Sequence, residues 1–259
     1  MTNQMSRIKM NTLKIMTYNI HYGIGKDGKY NIDRIIEVIA AEDPDVVTLQ
    51  EVDNKAVRTR GDNQPRIIAE ALGMNYYHCV NRFIGDGEFG IATLSKSPFT
   101  HIERFDLSYH KRIEPRGTLR TDIQLDREIK LHVFNVHFGL GPCERRFQRR
   151  RLFSDEILLN ESVRYPVIVM GDFNDQIMSM VHAAFRRYLV DSSAYRRFPK
   201  ATFYWGPFGF HLDYIYIDKC LHPVDSYTLR NPLAFRASDH VPVITTIALD
   251  KKGGELCGI

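Results

Sequence analysis

The 259-residue chain carries 35 Lys and Arg against 31 Asp and Glu, and 44 % of its residues are hydrophobic. That length and balance exclude wholesale disorder and accommodate one large α/β domain or two small ones with a substantial core. No apolar run approaches bilayer-spanning length, and the polar opening over residues 1–12 lacks the apolar centre of a secretion signal, so a cytoplasmic protein is the expectation.

Short apolar runs and helical periodicities follow one another along the chain. Residues 13–20 read as a strand, and Ile32, Ile35, Ile36, Ile39 and Ala40 recur at helical spacing behind Asn31, a capping residue. Residues 46–50 form a second strand that releases Glu51. A helix over 64–72 stops at Gly73. Strands at 76–80, 89–94, 118–125 and 129–138 come next, then a helix over 143–160, a strand at 167–170 and a helix over 177–188. A glycine- and proline-containing loop over 202–210 carries the sole tryptophan, Trp205, before strands at 214–217 and 241–249. No repeat or linker interrupts this order. One catalytic domain over 13–250 is expected, with an extension over 1–12 and a tail over 251–259, in mixed sheets covered by helices.

Charge is concentrated in one place. Between Glu144 and Arg151 stand five arginines and one glutamate, leaving 30 basic and 30 acidic residues elsewhere. Arg145, Arg146, Arg149 and Arg150 fall within roughly 140° of a helical wheel, either a solvated face or a contact for phosphates or anionic head groups. The cysteines, Cys79, Cys143, Cys220 and Cys257, form no C-x-x-C pair and read as isolated reduced thiols rather than a zinc site. The aromatics around Trp205 either pack inward or stand ready to stack on bases or meet a membrane.

The chemistry sits at the ends of the apolar runs: Asn19, Glu51, His137, Asp172, Asn174, Asp213, Asp239 and His240. A polar residue finishing a strand points into the mouth of a sheet. Singly each has a plain explanation, a salt-bridged Glu51, a satisfied His137, a Gly-Asp-Asn turn at 171–175. Within that turn Asp172 and Asn174 share a side, because alternate residues face the same way. Together the set suits phosphoester hydrolysis. A hard divalent cation takes oxygen ligands such as Glu51, Asp239 and the amide oxygen of Asn19. A water nucleophile needs a base, and His240 held by Asp213 is such a pair. Charge developing around phosphorus needs donors, which His137, Asn174 and an arginine provide.

Thr17-Tyr18-Asn19-Ile20-His21, Leu49-Gln50-Glu51-Val52-Asp53, Asn135-Val136-His137, Gly171-Asp172-Phe173-Asn174, Asp213-Tyr214-Ile215 and Ser238-Asp239-His240 resemble, in order, the motifs of the endonuclease/exonuclease/phosphatase superfamily. Gly90 to Pro98 resembles a framework strand of that family, and Pro115-Arg116-Gly117 a stretch whose arginine faces the substrate phosphate. The resemblance spans about residues 13–248. It implies a deoxyribonuclease-I-like four-layer α/β sandwich, two packed mixed β-sheets with helices outside. Asn19 and Glu51 would hold Mg²⁺ or Mn²⁺ with Asp239 close by. His240, oriented by Asp213, would activate water. Asp172 would position the nucleophile or assist the leaving oxygen, while Asn174, His137 and Arg116 contact the scissile phosphate.

Asn135-Val136-His137 departs from the abasic-site endonucleases and places the chain nearer the deoxyribonuclease-I-like, sphingomyelinase-like and inositol-phosphatase-like branches. His211-Leu212 replaces the usual basic-aliphatic pair before Asp213. Residues 136–140 with 144–148 resemble small bacterial members, some of which look linked to membrane lipids. The expectation is a monomeric Mg²⁺-dependent nuclease acting on nucleic acid. The alternatives are a phospholipid or sphingomyelin phosphodiesterase or an inositol-phosphate phosphatase, with an anionic membrane surface as partner, and an inactive binding scaffold, against which the retained His137 and His240 argue.

Overall fold

The computed structural model describes residues 12–195 and 200–249. The expected extension, Thr12 apart, the expected tail and Cys257 lie outside them. In chain order the elements are β1 (Thr12–Asn19), α1 (Ile32–Glu42), β2 (Val46–Asn54), α2 (Gln64–Leu72), β3 (Asn75–Ile84), β4 (Gly87–Ser95), β5 (Phe99–Asp106), β6 (Gly117–Gln124), β7 (Lys130–His137), α3 (Pro142–Leu152) and β8 (Val167–Asp172). They continue with α4 (Met180–Tyr188), β9 (Val190–Asp191), β10 (Phe203–Trp205), β11 (Phe208–Phe210), β12 (Asp213–Ile217), β13 (His222–Thr228), α5 (Pro232–Ala237) and β14 (Val243–Ala248).

The strands form two mixed six-stranded sheets, β13-β14-β1-β2-β4-β3 and β5-β6-β7-β8-β12-β9. Each holds one parallel pair, β1 with β2 and β7 with β8. Leu13, Ile15, Val46 and Ile247 of the first sheet pack directly on Val133, Ile168, Met170 and Ile215 of the second. The outer face of the first sheet is covered by Ile35, Val38 and Ile39 of α1, Ile68 of α2 and Ala234 of α5. Leu152 of α3 and Val181 and Phe185 of α4 cover the second sheet. Four layers result, as the sequence motifs imply. Such layering buries both faces of each sheet, which is why the central strands read as continuous apolar runs rather than alternating ones.

The helices α1 and α2 match their sequence signals. Asn31 Oδ1 accepts from the Arg34 N–H, and Asn63 Oδ1 from the Arg66 N–H, each satisfying an orphan donor of the first turn. Gly73 closes α2 in the left-handed region. The helix expected over 143–160 stops at Leu152 instead. Ser154, Asp155 and Asn160 fold the following chain into turns, with Ile157 N–H donating to Ser154 O and Asn160 Nδ2 to Asp155 O. Those turns let Ile157 and Leu158 bury beneath the same layer as Leu152, which a straight helix would not. The loop expected over 202–210 is the hairpin β10–β11, turning at Gly206 with φ 57°. Cys79 and Cys143 are free thiols.

Candidate active site

The register of the second sheet aligns three of the chemical side chains. Asp172 of β8 stands opposite His137 of β7 on one side and Asp213 of β12 on the other. Gly171 makes this alignment possible, since at φ 155° a Cβ there would lie 1.9 Å from Val136 O. Asn174, at φ 48°, turns the chain away and donates its amide to Phe138 O at 2.9 Å, while its N–H caps Asp172 Oδ1 at 2.8 Å.

The first sheet supplies the facing half. Asn19, the last residue of β1, donates through Nδ2 to Glu51 Oε1 at 3.1 Å and to Asp172 Oδ2 at 3.0 Å. Glu51 occupies a bulge of β2, between Gln50 and Val52, with φ 56°. The extra residue swings its carboxylate into the cleft rather than along the pleat, a common device beside active sites. A loop after α5 brings Ser238, whose hydroxyl lies 2.9 Å from Asn19 O and 3.3 Å from Asp239 Oδ1, so Asp239 is held beside β1.

His240 completes the arrangement. Its Nδ1–H donates to Asp213 Oδ2 at 2.8 Å, and Nε2 lies 3.8 Å from Asp172 Oδ2. Burial opposes a charge on this ring, yet Asp213, then Asp172 and Asp239, outweigh it and raise the imidazole to about 10. Burial likewise lifts the Asp172 carboxyl well above the usual range, with Asp213 adding to the effect. His137 shows the opposite behaviour. Burial, reinforced by the charges of Arg116 and His240, holds it far below its ordinary value and therefore neutral. Arg116 Nη1 lies 3.2 Å from His137 Nδ1. A guanidinium only donates, so Nδ1 accepts and the Nε2–H of the ring aims at Asp172 Oδ2, 3.7 Å away, and Glu51 Oε1, 4.0 Å away.

Glu51, Arg116, His137, Asp172, Asn174, Asp239 and His240 line one concavity of about 530 Å³. Asn19 and Asp213 lie just behind that surface through the contacts above. The structure thus brings together every site residue read from the sequence. One detail differs. The Asn19 amide oxygen accepts the His21 N–H at 3.0 Å, and it is the amine that faces Glu51, so the expected oxygen ligand is turned away. Four carboxylates converge here, and such a hard-oxygen set fits a divalent cation. Asp172, Asp213 and His240 place ligand-type atoms within 4.8 Å of one another. Asp213 and His240 are already bonded to each other, however, so Glu51 and Asp239, at the more open end of the cleft, are the better holders. Sequence reading gave no role to His21, Tyr22, Arg58, Arg82, Phe89 and Glu114, which also line the cleft. Only His21, the last residue of the Asn19 motif, and Glu114, adjoining the Arg116 motif, carried a signal.

The fold and site define a phosphoester hydrolase on a two-sheet α/β sandwich. The profile of the Endonuclease/Exonuclease/phosphatase family matches residues 16–240, and the chain belongs to that family. It is 29 % identical to the uncharacterized protein YbhP of Escherichia coli K12 over 175 residues, 63 % of this chain and 67 % of that one. A conserved protein of unknown function from Enterococcus faecalis superposes with a TM-score of 0.76 at 23 % identity, covering 92 % of this chain and 100 % of that one. A mannosyl-6-phosphatase from Bacteroides thetaiotaomicron gives 0.72 at 19 % identity over 92 % of this chain and 100 % of that one.

Proposed function

We propose that the protein is a Mg²⁺-dependent phosphodiesterase that cleaves nucleic acid by direct attack of water on phosphorus. The observation that carries this reading is the Asp213–His240 pair at 2.8 Å facing Asp172 across 3.8 Å. A water bound between His240 Nε2 and Asp172 Oδ2 gives its proton to the imidazole as its oxygen bonds to phosphorus. Asp213 stabilises the resulting imidazolium and fixes the ring orientation. The ester P–O bond breaks, the departing oxygen takes up a proton from solvent, and the His240 imidazolium returns its own proton to solvent. The Nε2–H of His137, the Asn174 amide and the Arg116 guanidinium meet the oxygens on which charge develops. Mg²⁺ held by Glu51 and Asp239, near Asn19, would supply Lewis-acid charge stabilisation. A cation there would also favour the neutral form of His240 that a base requires.

The three arginines lining the cleft, Arg58, Arg82 and Arg116, favour an anionic strand as substrate. A second reading, a phosphomonoesterase acting on a sugar or polyol phosphate, is favoured by the depth of the phosphate end, where His137 and Asp172 are 2 % and 1 % exposed. The mannosyl-6-phosphatase sharing the fold agrees with that reading. Hydrolysis of bis-p-nitrophenyl phosphate and of p-nitrophenyl phosphate, with Mg²⁺ and with EDTA, separates the two. Mg²⁺-dependent turnover of the diester, abolished by His240→Ala, is expected. Diester turnover that survives both EDTA and His240→Ala overturns the proposal, and turnover of the monoester alone selects the second reading.

A further inference from the structure

The mechanism leaves unused the part of the cleft built on β2, β3 and β4. There the Arg58 guanidinium lies 3.6 Å over the Tyr22 ring and 5.4 Å from Phe89, and Arg82 lies 4.9 Å from the same Phe89. Aromatic rings and guanidinium groups therefore alternate along the wall. Asp53, fully buried, fixes Arg58 through two bonds of 2.7 and 2.8 Å. Glu114 joins Arg82 at 3.1 Å to Arg116 at 2.7 Å, and Arg116 reaches His137. The wall runs unbroken from Tyr22 to the scissile-phosphate end.

Its charges do not cancel. Arg58 is matched by Asp53, but Arg82 and Arg116 share the single Glu114 carboxylate. The Nε donors of both Arg82 and Arg116 are buried without a hydrogen-bond partner. Beside them, the bulge of β3 between Val80 and Arg82 extrudes Asn81, 7 % exposed, whose side-chain oxygen and nitrogen both lack partners. Buried donors are ordinarily satisfied, so the unmatched Nε groups of Arg82, which is stacked on Phe89, and of Arg116 mark a place for an anion. Stacking occupies the face of a guanidinium and leaves its edge for an anion, through the unmatched Nε of Arg82 and, since Asp53 takes Nε and Nη2 of Arg58, through the remaining Nη1 of Arg58.

We propose that this wall is a second phosphate subsite. The substrate carries a further phosphate beside the ester that is cut, held by Arg82 and Arg58 while Arg116 and His137 hold the scissile group. The inference rests on the phosphoester-hydrolase reading above and narrows its substrate. Two molecules meet the requirement, a nucleic-acid strand through its neighbouring phosphodiester and a small polyol through a second phosphomonoester.

Steady-state kinetics with Mg²⁺ compares thymidylyl-thymidine with and without a 5′-phosphate, and glucose 1,6-bisphosphate with glucose 1-phosphate. In one pair the two-phosphate member is expected to have a kcat/KM higher by about tenfold or more, the worth of a charge-assisted contact. Arg82→Gln should erase that preference through KM, and Arg82→Lys should restore part of it. The pair that responds identifies the source. Turnover of bis-p-nitrophenyl phosphate without a preference in either pair, or a preference that Arg82→Gln leaves intact, overturns the subsite while the hydrolase reading stands. Calorimetry with methylenebisphosphonate against orthophosphate needs no turnover. Tighter binding of the bisphosphonate, lost in Arg82→Gln, supports the subsite. Equal affinities in the wild type overturn it whatever the activity.

Discussion

Asp172 touches more of the chemistry than any other side chain of the cleft, with Asn19, His137 and His240 all within 3.8 Å of its Oδ2. Its neighbour Asp213 has a narrower task, since Oδ2 holds His240 and Oδ1 is buried without a partner. Asp213→Asn keeps the shape but exchanges the charge that favours the imidazolium. It should lower kcat by about 10³-fold or more with KM little changed, read from steady-state kinetics. Gly171→Ala is a different kind of lesion. The added methyl meets Val136 O at 1.9 Å, so β7 and β8 must separate, and both the melting temperature and activity should fall. At this scale the sequence revealed which residues assemble but not how each is aimed. Polar residues at strand ends are visible as interruptions of apolar runs, whereas the bulge at Glu51 depends on pairing with β4 and leaves no periodic trace. The left-handed backbone of His21 and Tyr22, φ 44° and 42°, is likewise set by neighbours such as Gln64, which donates to Tyr22 O at 2.7 Å.

Elements differed in legibility according to how much of each is buried. Central strands and the amphipathic helices α1, α2 and α4 stood out because one face or both are apolar. The edge strands β5 and β13, exposed along much of their length, and the six-residue α5 did not. The arginine-rich α3 was read for its outer face, yet its inner residues matter more to the site. Buried Glu144 and Gln148 bond to each other, and Gln148 Oε1 accepts the Gly139 N–H, bracing the loop that follows His137. Arg145 is engaged with Asp175, and Arg151 with Glu156, so the basic face is smaller than its composition implies. In the hairpin, Trp205 and Phe208 stand exposed while Phe203 lines the cleft, so the aromatics divide between the two alternatives.

On α4, His182 is buried, with Nδ1 2.6 Å from the Tyr216 hydroxyl, and burial lowers it to about 4. The unfolded chain takes up a proton near the ordinary histidine value while the folded one does not. Stability is therefore complete above pH ~6.5 and declines as pH falls towards ~4, by roughly 3 kcal/mol from this group. Urea titrations between pH 7.5 and 4.5 should show that decline in the wild type and a shallower one in His182→Gln.

At the scale of the molecule, the two sheets contribute opposite halves of the cleft, and a polar clamp joins them just beneath it. Asn135 of β7 donates to Leu49 O and Ala92 O, of β2 and β4, and accepts from Gln50 Nε2. The sequence showed Asn135 only as the start of a motif, because a bond between sheets has no signature within one strand. Asn135→Ala strands those groups and should cost about 1–3 kcal/mol in chemical denaturation, with activity falling further than the folded fraction. A cation at Glu51 and Asp239 would relieve the crowding of carboxylates. The melting temperature of the wild type should therefore rise with Mg²⁺ concentration, and that rise should shrink in Glu51→Gln.

The order of the first sheet has a consequence for synthesis. β14 lies between β1 and β13, so β1, the first of the described strands, waits for two of the latest described ones before its outer edge is paired. Until then a nascent chain presents the N–H and C=O groups of β1 as an open template for any passing strand. His240 emerges from the ribosome immediately before that edge is sealed. With His240 as the proposed base, the polypeptide would stay catalytically silent while that edge is open, and would gain activity and protection together.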